Sequence, residues 1–158
     1  MMKIKVFNEK DIQNFKTDKK HIVISVQDPN YELVDLPEQE SRLDYLGLLF
    51  YDLDSDTEVF PYSRYLFTNY HAKDILNFIN KWKDKIDLIC VNCVAGISRS
   101  AGIAGALSKI LNNDDSYFFK HYCPNMLVYK TILKAYFGEE FKSFNNKPKN
   151  NNPNIQFL

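Results

Sequence analysis

The stretch from Asn92 to Leu107, NCVAGISRSAGIAGAL, concentrates the residues of this chain that could do chemistry. It holds three of only five glycines, Gly96, Gly102 and Gly105. It also holds Arg99, one of three arginines against seventeen lysines, with five residues separating it from Cys93 and with Ser100 directly after it. Such sparing use of arginine points to a need for its planar fork, which lysine cannot supply. The run before the cysteine, IDLICVN (86–92), reads as a buried strand, and the run after it, AGIAGALSKIL (101–111), as a helix with Ile103, Leu107 and Ile110 on its apolar face. Residues 93–98 are then a short loop from a strand to a helix N-terminus, where unpaired backbone N–H groups and the helix dipole attract an anion. Gly96 would let the loop turn so that successive N–H groups converge on one point. Val94, Ala95, Gly96, Ile97 and Ser98 would line the anion, and Arg99 would fork onto two of its oxygens. A cysteine beneath that anion has its thiolate form favoured by the same donors, and a thiolate facing a phosphorus held by an arginine is a nucleophile facing its electrophile. The Ser100 hydroxyl can donate to the sulfur and ease its departure when the thiophosphate is hydrolysed. Gly102 and Gly105 would let the helix press against its neighbours.

The elements that must position this loop can be read around it. HIVISV (21–26) is a β-branched run closed by the turn cluster QDPN, and YLGLLFYDL (45–53) is a second apolar strand. Continuous apolar strands fit a sheet covered on both faces. Between the second strand and IDLICVN, the segment YHAKDILNFINKWK keeps helical spacing at Ile75, Leu76, Phe78, Ile79 and Trp82. Two more helices follow: DDSYFFKHY, opened by capping aspartates, and MLVYKTILKAYF, ended by Gly138. Strands alternating with helices predict an α/β domain, a central and mostly parallel sheet flanked by helices. The organisation expected is one catalytic domain over residues 1–142 and an Asn- and Pro-rich tail over 143–158, whose composition predicts a mobile end.

Composition bounds the function. At 158 residues with 45% hydrophobic and 15% aromatic content the chain can bury the core of a single domain. Twenty basic and twenty acidic residues cancel, which argues against a nucleic-acid footprint or a polybasic membrane patch. The N-terminus is too charged for a signal peptide, and no apolar run reaches the length of a membrane span. Three cysteines, Cys90, Cys93 and Cys123, are too few and too odd for a disulfide framework, so a reducing, cytoplasmic setting is expected. Cys90 and Cys123 read as small buried hydrophobes. His21, His71 and His121 lack metal-ligand spacing, so no metal or other cofactor is expected. The aromatic pairs Phe118–Phe119 and Tyr136–Phe137 read as core, and Ser98 could also serve as a helix cap.

Cys93-x5-Arg99-Ser100, set between a strand and a helix, resembles the signature loop of the cysteine-dependent protein tyrosine and dual-specificity phosphatases, in their small single-domain form. The resemblance extends over about 45–137. It implies a protein tyrosine phosphatase-like fold, with YLGLLFYDLD corresponding to the strand that ends in the family's aspartate general acid. That correspondence offers Asp52, with Asp54 and Asp56 as alternatives a small register shift away. CPNMLVYKTIL, with Pro124 and Asn125, is similar to the Pro-Asn pair that opens the family's terminal helix. One position departs from the pattern: Asn92 stands where the family usually places His. An amide can hydrogen-bond to neighbouring backbone but carries no positive charge.

The resemblance implies a monomeric phosphomonoester hydrolase that acts on phosphotyrosine in proteins, and on phosphoserine or phosphothreonine as further candidates, through a phosphocysteine. Cys93, Arg99, Ser100 and Asp52 would be its catalytic residues. The loop lacks the lysines that inositol-phosphate phosphatases of similar signature tend to carry. A neutral net charge gives no evident basic groove for an RNA 5′-phosphatase. The competing classes are a catalytically dead phosphoprotein-binding module and an interaction protein that keeps only the fold.

Overall fold

A computed structural model describes residues 1–53 and 65–138. Four strands form one sheet: β1 (Lys3–Phe7), β2 (His21–Gln27), β3 (Arg42–Leu49) and β4 (Leu88–Asn92). Their spatial order is β1-β4-β2-β3 and every pairing is parallel. The sheet is flanked by α1 (Glu9–Asn14), α2 (Asn69–Trp82), α3 (Arg99–Asn112), α4 (Ser116–His121) and α5 (Met126–Phe137). The fold class read from the sequence is therefore the one observed.

Side-chain alternation along the strands divides the core in two. Ile89, Val91 and Cys93 join Ile22, Ile24, Ile75, Ile103, Leu107 and Ile132 in the larger cluster beneath α2, α3 and α5. Leu88 and Cys90 point the other way, with Val23, Ile12 and Val34, onto the face covered by α1. Cys90 and Cys93 thus lie on opposite faces of the sheet, and both are free thiols. β2 and β4 are buried along their whole length, as central strands covered on both sides must be. Because the strands are parallel, Phe7, Asn92 and Ser25 come level at one end of the sheet. In open α/β sheets the crevice outside the carboxyl ends of the strands is where ligands bind.

Four local features differ from the sequence reading. β1 and α1 have no counterpart in it: β1 is an edge strand that exposes Lys3 and Lys5 and gives no apolar run. The second strand ends at Leu49 and does not run on to Leu53. Among the described residues its only neighbour, β2, ends at Gln27, and after the bond from Phe50 N–H to the Gln27 carbonyl no partner strand remains among them. Each aromatic pair contributes one ring to the core, since neighbours on a helix point about 100° apart: Phe118 is buried and Phe137 packs against the cluster, while Phe119 and Tyr136 are exposed. Cys123 is exposed rather than buried. It sits in the connector between α4 and α5, where its backbone N–H, donating to the Ile97 carbonyl, makes the inward contact.

The Asp pair ahead of α4 divides its work. The Asp114 carboxylate accepts from the Ser116 N–H, while the Asp115 carboxylate accepts from the Tyr129 hydroxyl and so ties α4 to α5.

Candidate active site

β4 delivers Asn92 to the end of the sheet, and residues 93–98 turn there into α3. Gly96 is the pivot, with φ +67°. A Cβ on it would lie 2.5 Å from Asn8 N and 2.7 Å from Phe7 C, so the position demands glycine for conformation and for space. The loop is fixed from both sides. Glu9 N–H donates to the Val94 carbonyl, and the Asn125 and Gly102 N–H groups both donate to the Ser98 carbonyl. Val94 and Ile97 are 42% and 50% exposed and present an uncharged rim. Cys93 is 2% exposed. Its sulfur accepts from Gly96 N–H at 3.3 Å and lies 3.1 Å from Ser100 Oγ. The hydroxyl is in place to donate to a sulfur anion.

Arg99 is the first residue of α3 and is 5% exposed. Its Nη1 donates to Asp28 Oδ1 and to the Phe50 carbonyl, each at 2.7 Å. Its Nε–H is buried and has no hydrogen-bond partner among the described residues. Burying a guanidinium N–H unsatisfied costs about 1–3 kcal/mol or more, since the group is charged, so this donor is one that a bound oxyanion would satisfy. Asp28, in the QDPN turn after β2, is a site residue that sequence reasoning passes over. The turn pattern marked the segment as a loop but gave no sign that it meets Arg99, 71 residues away.

Asp52 lies past the end of β3 and reaches the same loop. Its Oδ1 accepts from Ser98 Oγ and from Asn125 Nδ2, both at 2.8 Å. Ser98 is therefore not acting as a side-chain helix cap; its hydroxyl is committed to Asp52. Asn125 does three things: its Oδ1 caps α5 by accepting from Val128 N–H, and its Nδ2 donates to both Asp52 and the Leu53 carbonyl. The Asp52 Oδ1 is thus engaged twice. Asp54 and Asp56, the alternative acids, lie outside the described residues, as does the segment 143–158.

Two expectations about the loop's surroundings change. Asn92 is buried and its Oδ1 has no hydrogen-bond partner among the described residues, so that oxygen does not brace the loop as a backbone-bonded amide would. Of the two helix glycines only Gly102 is required by packing: a Cβ there would come within 2.8 Å of the Asn125 carbonyl oxygen. At Gly105 the nearest atom would stand at an ordinary 3.6 Å. Cys90 belongs to the opposite face, where burial pushes its thiol up to about 12 and Lys5 offsets only part of the effect; it is a packing residue. Among the described residues no group of three or more His, Cys, Asp or Glu is placed to hold a metal ion. No helix among them is long and apolar enough to cross a membrane.

No protein-family model matches the chain, and no curated protein matches it in sequence. Solved structures do match in fold. Tk-PTP in its active form is similar with a TM-score of 0.52 at 14% identity, over 83% of this chain and 90% of that one. PTPMT1 is similar with a TM-score of 0.52 at 14% identity, over 91% of this chain and 96% of that one. A human tyrosine phosphatase-like serine/threonine/tyrosine-interacting protein aligns at a TM-score of 0.48 and 16% identity, over 80% and 78%.

Proposed function

With a protein tyrosine phosphatase-like fold established by these likenesses, we propose that the protein is a phosphomonoester hydrolase that works through a phosphocysteine on Cys93. The observation that carries the reading is the buried Nε–H of Arg99, unpartnered among the described residues, in the loop where the Cys93 sulfur already accepts from Gly96 N–H. A phosphate ester is the ligand that meets both features. Its oxygens supply an acceptor for the Arg99 Nε–H, and its phosphorus is the electrophile a thiolate attacks.

In the proposed reaction the Cys93 thiolate attacks phosphorus and the bond to the ester oxygen breaks. Asp52 passes its proton to the departing oxygen. A water then attacks the phosphocysteine and gives its proton to the Asp52 carboxylate. The phosphorus–sulfur bond breaks and inorganic phosphate leaves. The Ser100 hydroxyl, already within reach of the sulfur, stabilises the thiolate as it departs. Charge on the transferring group is met by backbone N–H groups and Arg99, fixed donors that need no reorganisation.

The substrate proposed is phosphotyrosine in proteins, with phosphoserine and phosphothreonine as further candidates. The uncharged rim of Val94, Ala95 and Ile97 supports an aryl ester over a headgroup carrying several phosphates. A free-thiol nucleophile also fits a reducing, cytoplasmic setting. Asn92 favours a second reading, a phosphoprotein-binding module without turnover, because an uncharged amide, its oxygen unpartnered among the described residues, replaces a cation beside the thiol.

Hydrolysis of an aryl phosphate by the wild type and by Cys93→Ser, in the presence of EDTA, separates the two. The expected result is turnover by the wild type and none by Cys93→Ser, which still binds phosphopeptide. Undiminished activity in the variant would remove Cys93 as nucleophile. A wild type that binds phosphopeptide without turnover would establish the binding module.

A further inference from the structure

We propose that His71 is a positioning residue, clasping the two ends of the excursion between β3 and α2 that carries Asp52. The proposal rests on the reading of Asp52 as the acid. His71 is the third residue of α2, whose N-cap is Thr68. Its Nδ1 lies 2.9 Å from Thr68 N and 3.1 Å from Thr68 Oγ1. A backbone N–H can only donate, so Nδ1 is the acceptor and the ring proton of the neutral imidazole sits on Nε2. The ring meets Phe50, the first residue past the end of β3. One side chain thus touches the chain just after it leaves the sheet and binds the residue where it re-enters a helix. A capping box with Glu or Gln at this position would satisfy Thr68 alone.

The ring is also packed against the excursion's two ends. It stacks on Phe67 at 5.3 Å between centroids, with an interplanar angle of 20°, and lies 5.5 Å from Phe50. Outside this layer the Tyr51 N–H donates to the Tyr65 carbonyl at 2.8 Å, and the two tyrosine rings meet edge to face. Asp52 is the next residue after that closure, and the Phe50 carbonyl holds Arg99. The clasp needs the neutral ring, since a proton on Nδ1 would oppose the Thr68 N–H. Burial holds the imidazole below its ordinary value, against the opposing effect of Asp74.

The test is His71→Gln, which keeps an acceptor for Thr68 N–H and loses the ring contact with Phe50. His71→Phe, which keeps the ring contacts and loses the hydrogen bond to Thr68, is run beside it in case one variant does not fold. Amide hydrogen exchange at Tyr51 is expected to accelerate at least about tenfold while the β4 amides stay protected. Turnover of phosphotyrosine is expected to fall about tenfold or more, and that of an activated aryl phosphate less than about threefold, because only the poorer leaving group needs a well-placed acid. Unchanged exchange at Tyr51 overturns the proposal. Equal losses on the two substrates overturn it as well, by reducing His71 to a structural role. Asp52→Asn is measured alongside. If that variant shows no leaving-group dependence the acid assignment fails by itself, and the clasp then stands or falls on the exchange measurement.

Discussion

Alanine at each of the three glycines of the active-site segment should give three different outcomes. At Gly96 the backbone is left-handed, which costs an ordinary residue about 1–2 kcal/mol. The new methyl would also lie 2.5–2.8 Å from Phe7 and Asn8 backbone atoms, which a rotamer change cannot clear; such overpacking costs about 1–3 kcal/mol. The sum, about 2–5 kcal/mol, corresponds to a fall in melting temperature of roughly 6–15 °C at about 3 °C per kcal/mol for a chain of this size. Gly102→Ala gains about 1 kcal/mol of helix propensity but brings its methyl to 2.8 Å from the Asn125 carbonyl oxygen. Its expected net effect is a loss of roughly 0–2 kcal/mol, together with a displaced Asn125 and slower turnover of phosphotyrosine. Gly105→Ala meets only ordinary contacts from 3.6 Å outward, so the propensity gain of about 1 kcal/mol stands and the melting temperature should rise by about 3 °C with turnover unchanged. Thermal unfolding and aryl phosphate turnover of the three variants check this together. A Gly96→Ala variant within 1 °C of the wild type (on the order of a few tenths of a kcal/mol), or a destabilised Gly105→Ala, would refute the reasoning.

Arg99→Lys keeps the charge but replaces a fork with a single nitrogen, which cannot serve Asp28, Phe50 and a phosphate at once. Two charge-assisted bonds lost at about 1.5–3 kcal/mol each predict turnover lower by roughly 10²–10⁴, and a loss under about threefold would remove Arg99 as the clamp. Asn125→Asp preserves the cap on α5 yet turns the donor facing Asp52 into a second carboxylate. Phosphotyrosine turnover should fall far more than that of an activated aryl phosphate, and in an Asp52→Asn background this difference should vanish; a difference that persists there would place the acid elsewhere. For His71 the folded-state pKa is lowered, chiefly by burial, so below the ordinary imidazole value of about 6.5 the unfolded chain binds more protons than the folded one. Stability should therefore decline as pH falls through that value, and denaturant titrations at pH 7 and pH 5 should show a smaller decline for His71→Gln. An identical decline in both proteins would show that the imidazole makes no contribution.

The part of the candidate site that residue pattern alone disclosed is the part made of neighbouring residues; Asp52 and Asn125 were legible only through the family resemblance. A strand, a glycine-bearing loop and a helix N-terminus follow one another along the chain, so Cys93, Gly96, Arg99 and Ser100 meet by local geometry, and apolar periodicity is enough to place that geometry in an α/β fold. β1 escaped because an edge strand with exposed lysines leaves no apolar signature. The rest of the site depended on sheet order, which periodicity does not encode. Asp28 meets Arg99 across 71 residues, Ser98 meets Asp52 across 46, and Asn125 meets Asp52 across 73. Those contacts exist because β2 lies beside β4, because the chain leaving β3 runs past the end of β2 at Gln27 and turns Asp52 toward the loop, and because α5 packs its capped end on α3 at Gly102. Tertiary packing likewise separated two glycines that look alike in sequence, since what distinguishes Gly102 from Gly105 is the backbone oxygen of another helix cap standing 2.8 Å from where a methyl would be.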